Sequence, residues 1–176
     1  MDDLDPAEVI VDTREQQPLI TCPPATLGTL RTGDYSVAGY ETVMSFERKS
    51  LSDLFGSVGK GRRRFLRTCR RLSVMPVRGL IIEASAEDIV NHSGYSKLQG
   101  TKVLATLMSW GGVAYGVPVW LCGTDRGLAR DMLMGLLRFG RDRLRTGDGY
   151  RHAGPICTCG GGRPVPHSQL CRTPTA

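Results

Sequence analysis

The chain has 176 residues, 23 Lys and Arg against 17 Asp and Glu, and a net charge of +6. That length suffices for one domain with a real core and a short appendage, and no apolar run reaches the roughly 18–20 residues that span a bilayer. The charge is uneven: Asp2, Asp3, Asp5 and Glu8 make the start acidic and the middle is strongly basic, which points to a polyanionic partner, nucleic acid before membrane. Met1-Asp2-Asp3-Leu4-Asp5-Pro6 lacks the basic region of a signal peptide, so the protein is expected to be intracellular, cytoplasmic or nucleoid-associated. Cys22, Cys69 and Cys122 are scattered, as free thiols in a reducing compartment are.

Val9-Ile10-Val11 reads as a buried strand ending at Asp12-Thr13-Arg14-Glu15, where carboxylates can face a cleft. Residues 16–32 contain Pro18, Pro23, Pro24 and Gly28 and read as loop. Residues 34–49 read as a β-hairpin, with Asp34 at its start and Glu47 near its end. In the second strand, Tyr40 to Arg48, alternation sends Glu47 and Lys49 to one face and Arg48 to the other. Taken alone, Glu47-Arg48-Lys49 is most simply a solvated edge.

Ser50 is placed to cap a helix that runs to about Val58, with Asp53 at the third helical position. From Lys60 to Arg71 the chain carries Lys60, Arg62, Arg63, Arg64, Arg67, Arg70 and Arg71 with no acid among them, while Phe65, Cys69 and Leu72 recur at helical spacing. Cations without i,i+4 acids repel one another, so phosphate neutralisation is a better reading than a solvated face. Residues 78–84 form a second buried strand. Ser85 caps a short helix through Asn91. After a loop over 91–100, a helix runs to about Trp110 and ends at Gly111-Gly112. Residues 117–121 are a third strand, and Pro118 suits an edge or strand start.

A long helix is expected from about Asp125 to Arg145, with Leu128, Met132, Leu133, Leu136, Leu137 and Leu144 inward. Arg130, Arg138, Arg141 and Arg145 lie elsewhere on it, as a second phosphate contact or simply for solubility. Gly147-Asp148-Gly149 is a hinge signal, which divides the chain into a domain over 1–147 and a tail over 148–176. Strands alternating with helices imply an α/β sandwich.

The acids then gather. Asp12, Glu15, Asp34 and Glu47, with Lys49, all sit at strand ends or hairpin positions in the first third of the chain. Converging carboxylates bind a hard divalent cation such as Mg²⁺. Such a cation lowers the pKa of a bound water and stabilises charge on a scissile phosphate. A lysine beside it can hold the attacking hydroxide in line. His92, His152 and His167 are not placed with these acids, which counts against a histidine-based nuclease.

These segments resemble the XPF-type nuclease domain family. The resemblance lies in Val11-Asp12-Thr13-Arg14-Glu15, Gly33-Asp34-Tyr35, Glu47-Arg48-Lys49 with Asp53, then Ser57-Val58 and Gly61-Arg62. It implies a restriction-endonuclease-like α/β/α sandwich with a central mixed sheet. It also implies cleavage of branched DNA (flaps, forks and recombination intermediates) with Mg²⁺ or Mn²⁺. By the same resemblance Asp34 and Glu47 are the central metal ligands, and Asp12 and Glu15 contribute directly or through water. Lys49 orients the nucleophile, and Arg48 touches phosphate or locks the site. Asp53 supports the site by capping its helix and pairing with Arg48 or another Arg. Arg62, Arg63, Arg64, Arg67, Arg70 and Arg71 are the expected DNA contacts. A homodimer is expected, although no room remains after residue 147 for the helix-hairpin-helix module common in this family. Retention of Asp12, Asp34, Glu47 and Lys49 disfavours the alternative, a non-catalytic branched-DNA-binding subunit that positions a partner.

The tail holds Cys157, Cys159, His167 and Cys171 among glycines and prolines. These are four soft ligands suited to structural Zn²⁺, or they are incidental residues of a segment too poor in apolar groups to fold alone.

Overall fold

The computed structural model describes residues 3–92 and 98–147. Cys157, Cys159, His167 and Cys171 lie outside that range. The chain divides into two compact units, Met1–Asp142 and Arg143–Ala176.

Six strands form one mixed sheet in the order β2-β1-β3-β4-β5-β6. They are β1 (Val9–Asp12), β2 (Thr26–Gly28), β3 (Tyr35–Val37), β4 (Met44–Ser50), β5 (Val77–Glu83) and β6 (Val119–Leu121). The helices are α1 (Leu51–Val58), α2 (Arg62–Ser73), α3 (Ala86–Val90), α4 (Gly100–Met108) and α5 (Arg126–Thr146). β1 runs antiparallel to β3 and β3 antiparallel to β4, while β4, β5 and β6 are parallel. The expected α/β fold with a mixed central sheet is therefore what the chain forms.

Alternation along β5 assigns the two faces. Leu80 and Ile82 join Leu54 and Phe55 of α1, Phe65, Cys69 and Leu72 of α2, and Val103 and Leu107 of α4 in one apolar core. Val77 and Met44 point the other way, where Gly140 of α5 lies so close that a Cβ would meet both side chains. Two caps hold as expected: Ser50 accepts from Asp53 N at 3.2 Å, and Ser85 and Asp88 form a reciprocal capping box.

Several boundaries differ from the sequence reading. The segment after Pro18 is not loop throughout, because Thr26–Gly28 pairs in parallel with β1. Thr42 and Val43 are β-formers, yet they lie in a turn closed by Val43 N and Met44 N donating to Tyr40 O, so the strand starts only at Met44. Gly111 and Gly112 do not end the helix: a wide π turn carries it through Ala114. Gly111 permits this because a Cβ there would collide with Val119. Pro118 precedes β6, which is an edge strand as expected. On α5 the buried residues are Ala129, Leu133, Leu137, Gly140 and Arg141, whereas Leu128, placed inward by the sequence reading, is 53% exposed.

Candidate active site

β4 supplies the floor of the site. Its alternation turns Glu47 and Lys49 toward α1 and α2, in register with Leu80 and Ile82, and turns Arg48 to the opposite face. Lys49 Nζ lies 2.8 Å from Glu47 Oε1 and 5.2 Å from the centroid of the Phe65 ring, so a carboxylate and an aromatic face hold the ammonium together.

Asp34 is brought opposite Glu47 by the β3–β4 ladder. Tyr35 pairs with Phe46, so the residue before the first and the residue after the second are cross-strand neighbours. Asp34 N donates to Phe46 O at 2.8 Å, and Asp34 O accepts from Asp12 N at 2.8 Å, which ties the residue to both flanking strands. Gly33 makes the entry possible: its φ is +75°, and a side chain there would run into Ser45 Oγ. The Asp34 carboxyl accepts from Arg48 N at 2.7 Å. Burial, then Glu47, then Glu15 push its pKa up to about 8, against the lowering effect of that hydrogen bond.

Of the two acids at the end of β1 and just beyond it, Glu15 lines the cleft. Asp12 does not line it, and both of its carboxylate oxygens are engaged. Oδ1 accepts from Arg14 N at 2.9 Å and Arg14 Nε at 2.6 Å. Oδ2 accepts from Arg14 Nη2 at 2.9 Å and Leu30 N at 2.7 Å. Burial raises the Asp12 pKa, and the Arg14 and backbone hydrogen bonds more than reverse this, so it sits below the usual carboxylate range. These contacts draw the segment from 12 to 30 around the carboxylate. Glu15 Oε1 accepts from Gln17 N at 2.7 Å and faces Arg48 Nη1 at 3.5 Å.

Arg48 is nearly buried and forked onto Glu83, with Nε to Oε1 at 2.8 Å and Nη2 to Oε2 at 2.9 Å. Burial pulls its pKa down, but the Glu83 pairing and then Glu15 overcome that and hold it above the usual value. Arg48 thus joins the ends of β4 and β5 to the segment carrying Glu15. Asp53 does not pair with Arg48: it accepts from Ser50 Oγ at 2.7 Å on the cleft margin. Cys69, behind the floor, is pushed up to about 11 by burial and then by Glu47, and stays a neutral thiol.

The walls are basic. A cleft of about 840 Å³ opens over Glu15, Asp34, Glu47 and Lys49, with Arg64, Arg67 and Arg71 on one side and Arg14 and Arg31 on the other. The six arginines expected on α2 thus separate. Arg64, Arg67 and Arg71 line the cleft, whereas Arg62, Arg63 and Arg70 do not. Arg62 lies 4.5 Å over the Trp110 ring. On α5, Arg138 pairs with Asp3 at 2.7 Å, Arg141 with Glu8 at 2.9 Å and Arg130 with Asp131 at 2.8 Å. Intramolecular acids therefore pair with Arg130, Arg138 and Arg141 of that stripe, two of them from the acidic N-terminal segment.

Four participants escape the sequence reading: Arg14, Arg31, Glu83 and Arg126. Glu83 ends a strand, the same signal that singled out Asp12. Arg126 opens α5, where a cation opposes the helix dipole, and such a placement points to an acid partner.

Glu15, Asp34 and Glu47 present only oxygen donors, the set a hard divalent cation takes. Burial and the Glu47 and Glu15 carboxylates raise the Asp34 pKa, and a cation shared by these donors would offset that, so the donor set fits such a cation. As they stand, Glu47 engages Lys49 and Glu15 faces Arg48, and among the described residues no cluster of three such groups is closed enough to hold a metal.

No protein-family model matches the sequence, and no curated protein matches it. Solved structures do. XPF from Aeropyrum pernix is similar over 79% of this chain and 67% of that one, with 21% identity and a TM-score of 0.58. XPF from Aeropyrum pernix in complex with DNA is similar over 76% of this chain and 64% of that one, with 20% identity and a TM-score of 0.60. This chain therefore spans about two thirds of the length of those chains. The fold is similar to that of the XPF nuclease domain, as the motif resemblance implied. Among the described residues no helix is long and apolar enough to cross a membrane.

Proposed function

We propose that the protein is a divalent-metal-dependent endonuclease that hydrolyses phosphodiester bonds in DNA. One observation carries the reading: Asp34 and Glu47 oppose each other on an acidic floor between two walls of arginine. A floor that repels phosphate between walls that attract it suits a cation-bridged backbone. Branched DNA is the proposed substrate, on the strength of the motif resemblance. That one of the similar XPF structures was solved with DNA accords with a nucleic-acid ligand.

In this reading Asp34, Glu47 and Glu15 hold Mg²⁺ or Mn²⁺. When bound, such a cation lowers the pKa of a water and neutralises charge on the scissile phosphate. Lys49, held by Glu47 and Phe65, orients the attacking oxygen and supplies positive charge beside it. Arg64, Arg67 and Arg71 grip phosphates on the α2 side, and Arg14 and Arg31 contact the backbone from the other. The proposed unit is a homodimer. Leu128 and Phe139 are 53% and 58% exposed and eleven positions apart on α5, so they share one helix face that a second copy can cover.

The test is a panel of flap, fork, four-way and linear duplex DNA with Mg²⁺ or EDTA, using wild type, Asp34→Asn and Lys49→Ala. Metal-dependent cutting of branched DNA, lost in both variants, is expected. Cutting that both variants retain would refute the assignment. Branched-DNA binding with no cutting under any metal would favour a non-catalytic positioning subunit.

A further inference from the structure

Behind the floor runs a chain of alternating charges, of which the proposed chemistry itself uses only Glu15. Glu15 Oε1 faces Arg48 Nη1 at 3.5 Å. Arg48 forks onto Glu83 through Nε at 2.8 Å and Nη2 at 2.9 Å. Glu83 also takes Arg126 Nη1 on both oxygens, at 3.0 and 2.9 Å. Arg126 Nη2 then returns to the segment beside Glu15, donating to Gln17 O at 2.9 Å and Pro18 O at 3.1 Å. The side chains of Glu15, Arg48 and Glu83 are 7%, 5% and 9% exposed, and that of Arg126 is 44% exposed.

We propose that Glu83 and Arg126 are positioning residues that fix Glu15 for metal binding. The loop is held from two directions. Arg48 meets the Glu15 carboxylate, and Arg126 clamps the backbone two and three residues further on. Both arginines converge on Glu83, so its carboxylate sets their mutual geometry. A guanidinium can serve a carboxylate and two carbonyls at once because its donors are spread in a rigid fork, and an ammonium cannot reproduce that spread. Without this clamp the segment from Glu15 to Pro18 loses its tie to α5, and Glu15 is free to turn toward solvent. Partners of this kind behind a metal ligand carry about 10–100-fold in metal affinity.

The inference rests on the reading of Glu15, Asp34 and Glu47 as a cation site. It makes a prediction opposite in sign to simple electrostatics. Deleting the Arg126 charge raises negative potential near the carboxylates, and Coulomb's law alone then gives tighter cation binding. Lost positioning gives weaker binding.

The test is Mn²⁺ binding to the full chain without DNA, followed by the electron paramagnetic resonance of free Mn²⁺, for wild type, Arg126→Ala, Arg126→Lys and Glu83→Gln. Wild type is expected to bind, Arg126→Ala to bind about tenfold more weakly, and Arg126→Lys to remain weakened although it keeps the charge. Under steady-state cleavage, with rates normalised to the folded fraction, kcat is expected to fall with KM for DNA within about twofold. Should Arg126→Ala fold poorly, judged by its melting temperature in EDTA, Arg126→Lys carries the same test. Mn²⁺ affinity in Arg126→Ala and Arg126→Lys equal to or tighter than wild type overturns the proposal and leaves the site reading intact. A wild-type chain that binds no Mn²⁺ overturns both.

Discussion

Asp34 and Glu47 stand opposite each other one step beyond the Tyr35–Phe46 pair of the β3–β4 ladder, and burial together with the Glu47 carboxylate makes Asp34 harder to ionise. Two carboxylates in one partly buried site are a source of strain that a cation relieves. The cross-strand register, which pins Asp34 to Phe46 through a 2.8 Å backbone hydrogen bond, is what keeps them there.

That strain has a pH signature. The folded pKa of Asp34, about 8, is above its unfolded value of roughly 3.9. Its favourable contribution is therefore complete below about pH 4 and is lost as pH rises toward 8. Asp34→Asn removes the ionisation while its side-chain oxygen can still accept from Arg48 N. In EDTA the variant is expected to match wild type near pH 4. At pH 8 it should exceed wild type by on the order of 1–2 kcal/mol, about 2–8 °C in Tm. Thermal melts across that range check it, and a difference that does not grow with pH would refute the assignment.

Lys49→Ala tests the other half of the floor. Removing the ammonium 2.8 Å from Glu47 leaves the carboxylates without their nearest cation. Mg²⁺ affinity is expected to hold or rise, while cleavage falls by roughly 10²–10³-fold, the range seen when one preorganised charge-stabilising group is lost. Single-turnover cleavage at saturating Mg²⁺, beside calorimetric titration of the metal, separates the two effects.

The division of the arginines predicts a salt signature. Arg64→Ala, Arg67→Ala, Arg71→Ala and Arg31→Ala are each expected to lower the slope of log K against log salt by about 1. Arg63→Ala, Arg70→Ala and Arg138→Ala should change it by much less, because the first two lie off the cleft and the third is paired with Asp3. Fluorescence anisotropy with one DNA over a series of salt concentrations reads all seven.

Arg62 should behave as a packing residue. Its guanidinium lies 4.5 Å over the Trp110 ring, and an exposed contact of this type contributes about 0.5–1 kcal/mol. Arg62→Ala is expected to lower stability by that amount in a urea melt, with DNA affinity within about twofold of wild type.

The local pattern around the site was legible in the sequence, and its convergence only in part. The alternation that separates Glu47 and Lys49 from Arg48, the Ser50 cap and the apolar side of α2 all appear as expected. Each follows from the fixed repeat of a strand or helix or from a cap a few residues away. Asp12 shows the limit. It has the residue type and strand-end position of a ligand, but the donors of Arg14 and Leu30 occupy it, and Leu30 is eighteen residues away. Two of the α5 arginines show the same limit: Asp3 and Glu8, which pair with Arg138 and Arg141, lie at the other end of the chain.

The sequence by itself determined which side chains point together along each element, because covalent geometry imposes that periodicity without help from the rest of the chain. Only the tertiary structure decided which of them meet across elements. It set Asp34 against Glu47, bound Asp12 to Arg14 and Leu30, paired Arg130, Arg138 and Arg141 of α5 with acids, and left Arg64, Arg67 and Arg71 of α2 lining the cleft. It also tied Glu15 to Arg126 through Arg48 and Glu83. The physical reason is that a charge's role depends on which partners reach it within a few ångströms, and those partners come from sheet register and helix packing far along the chain.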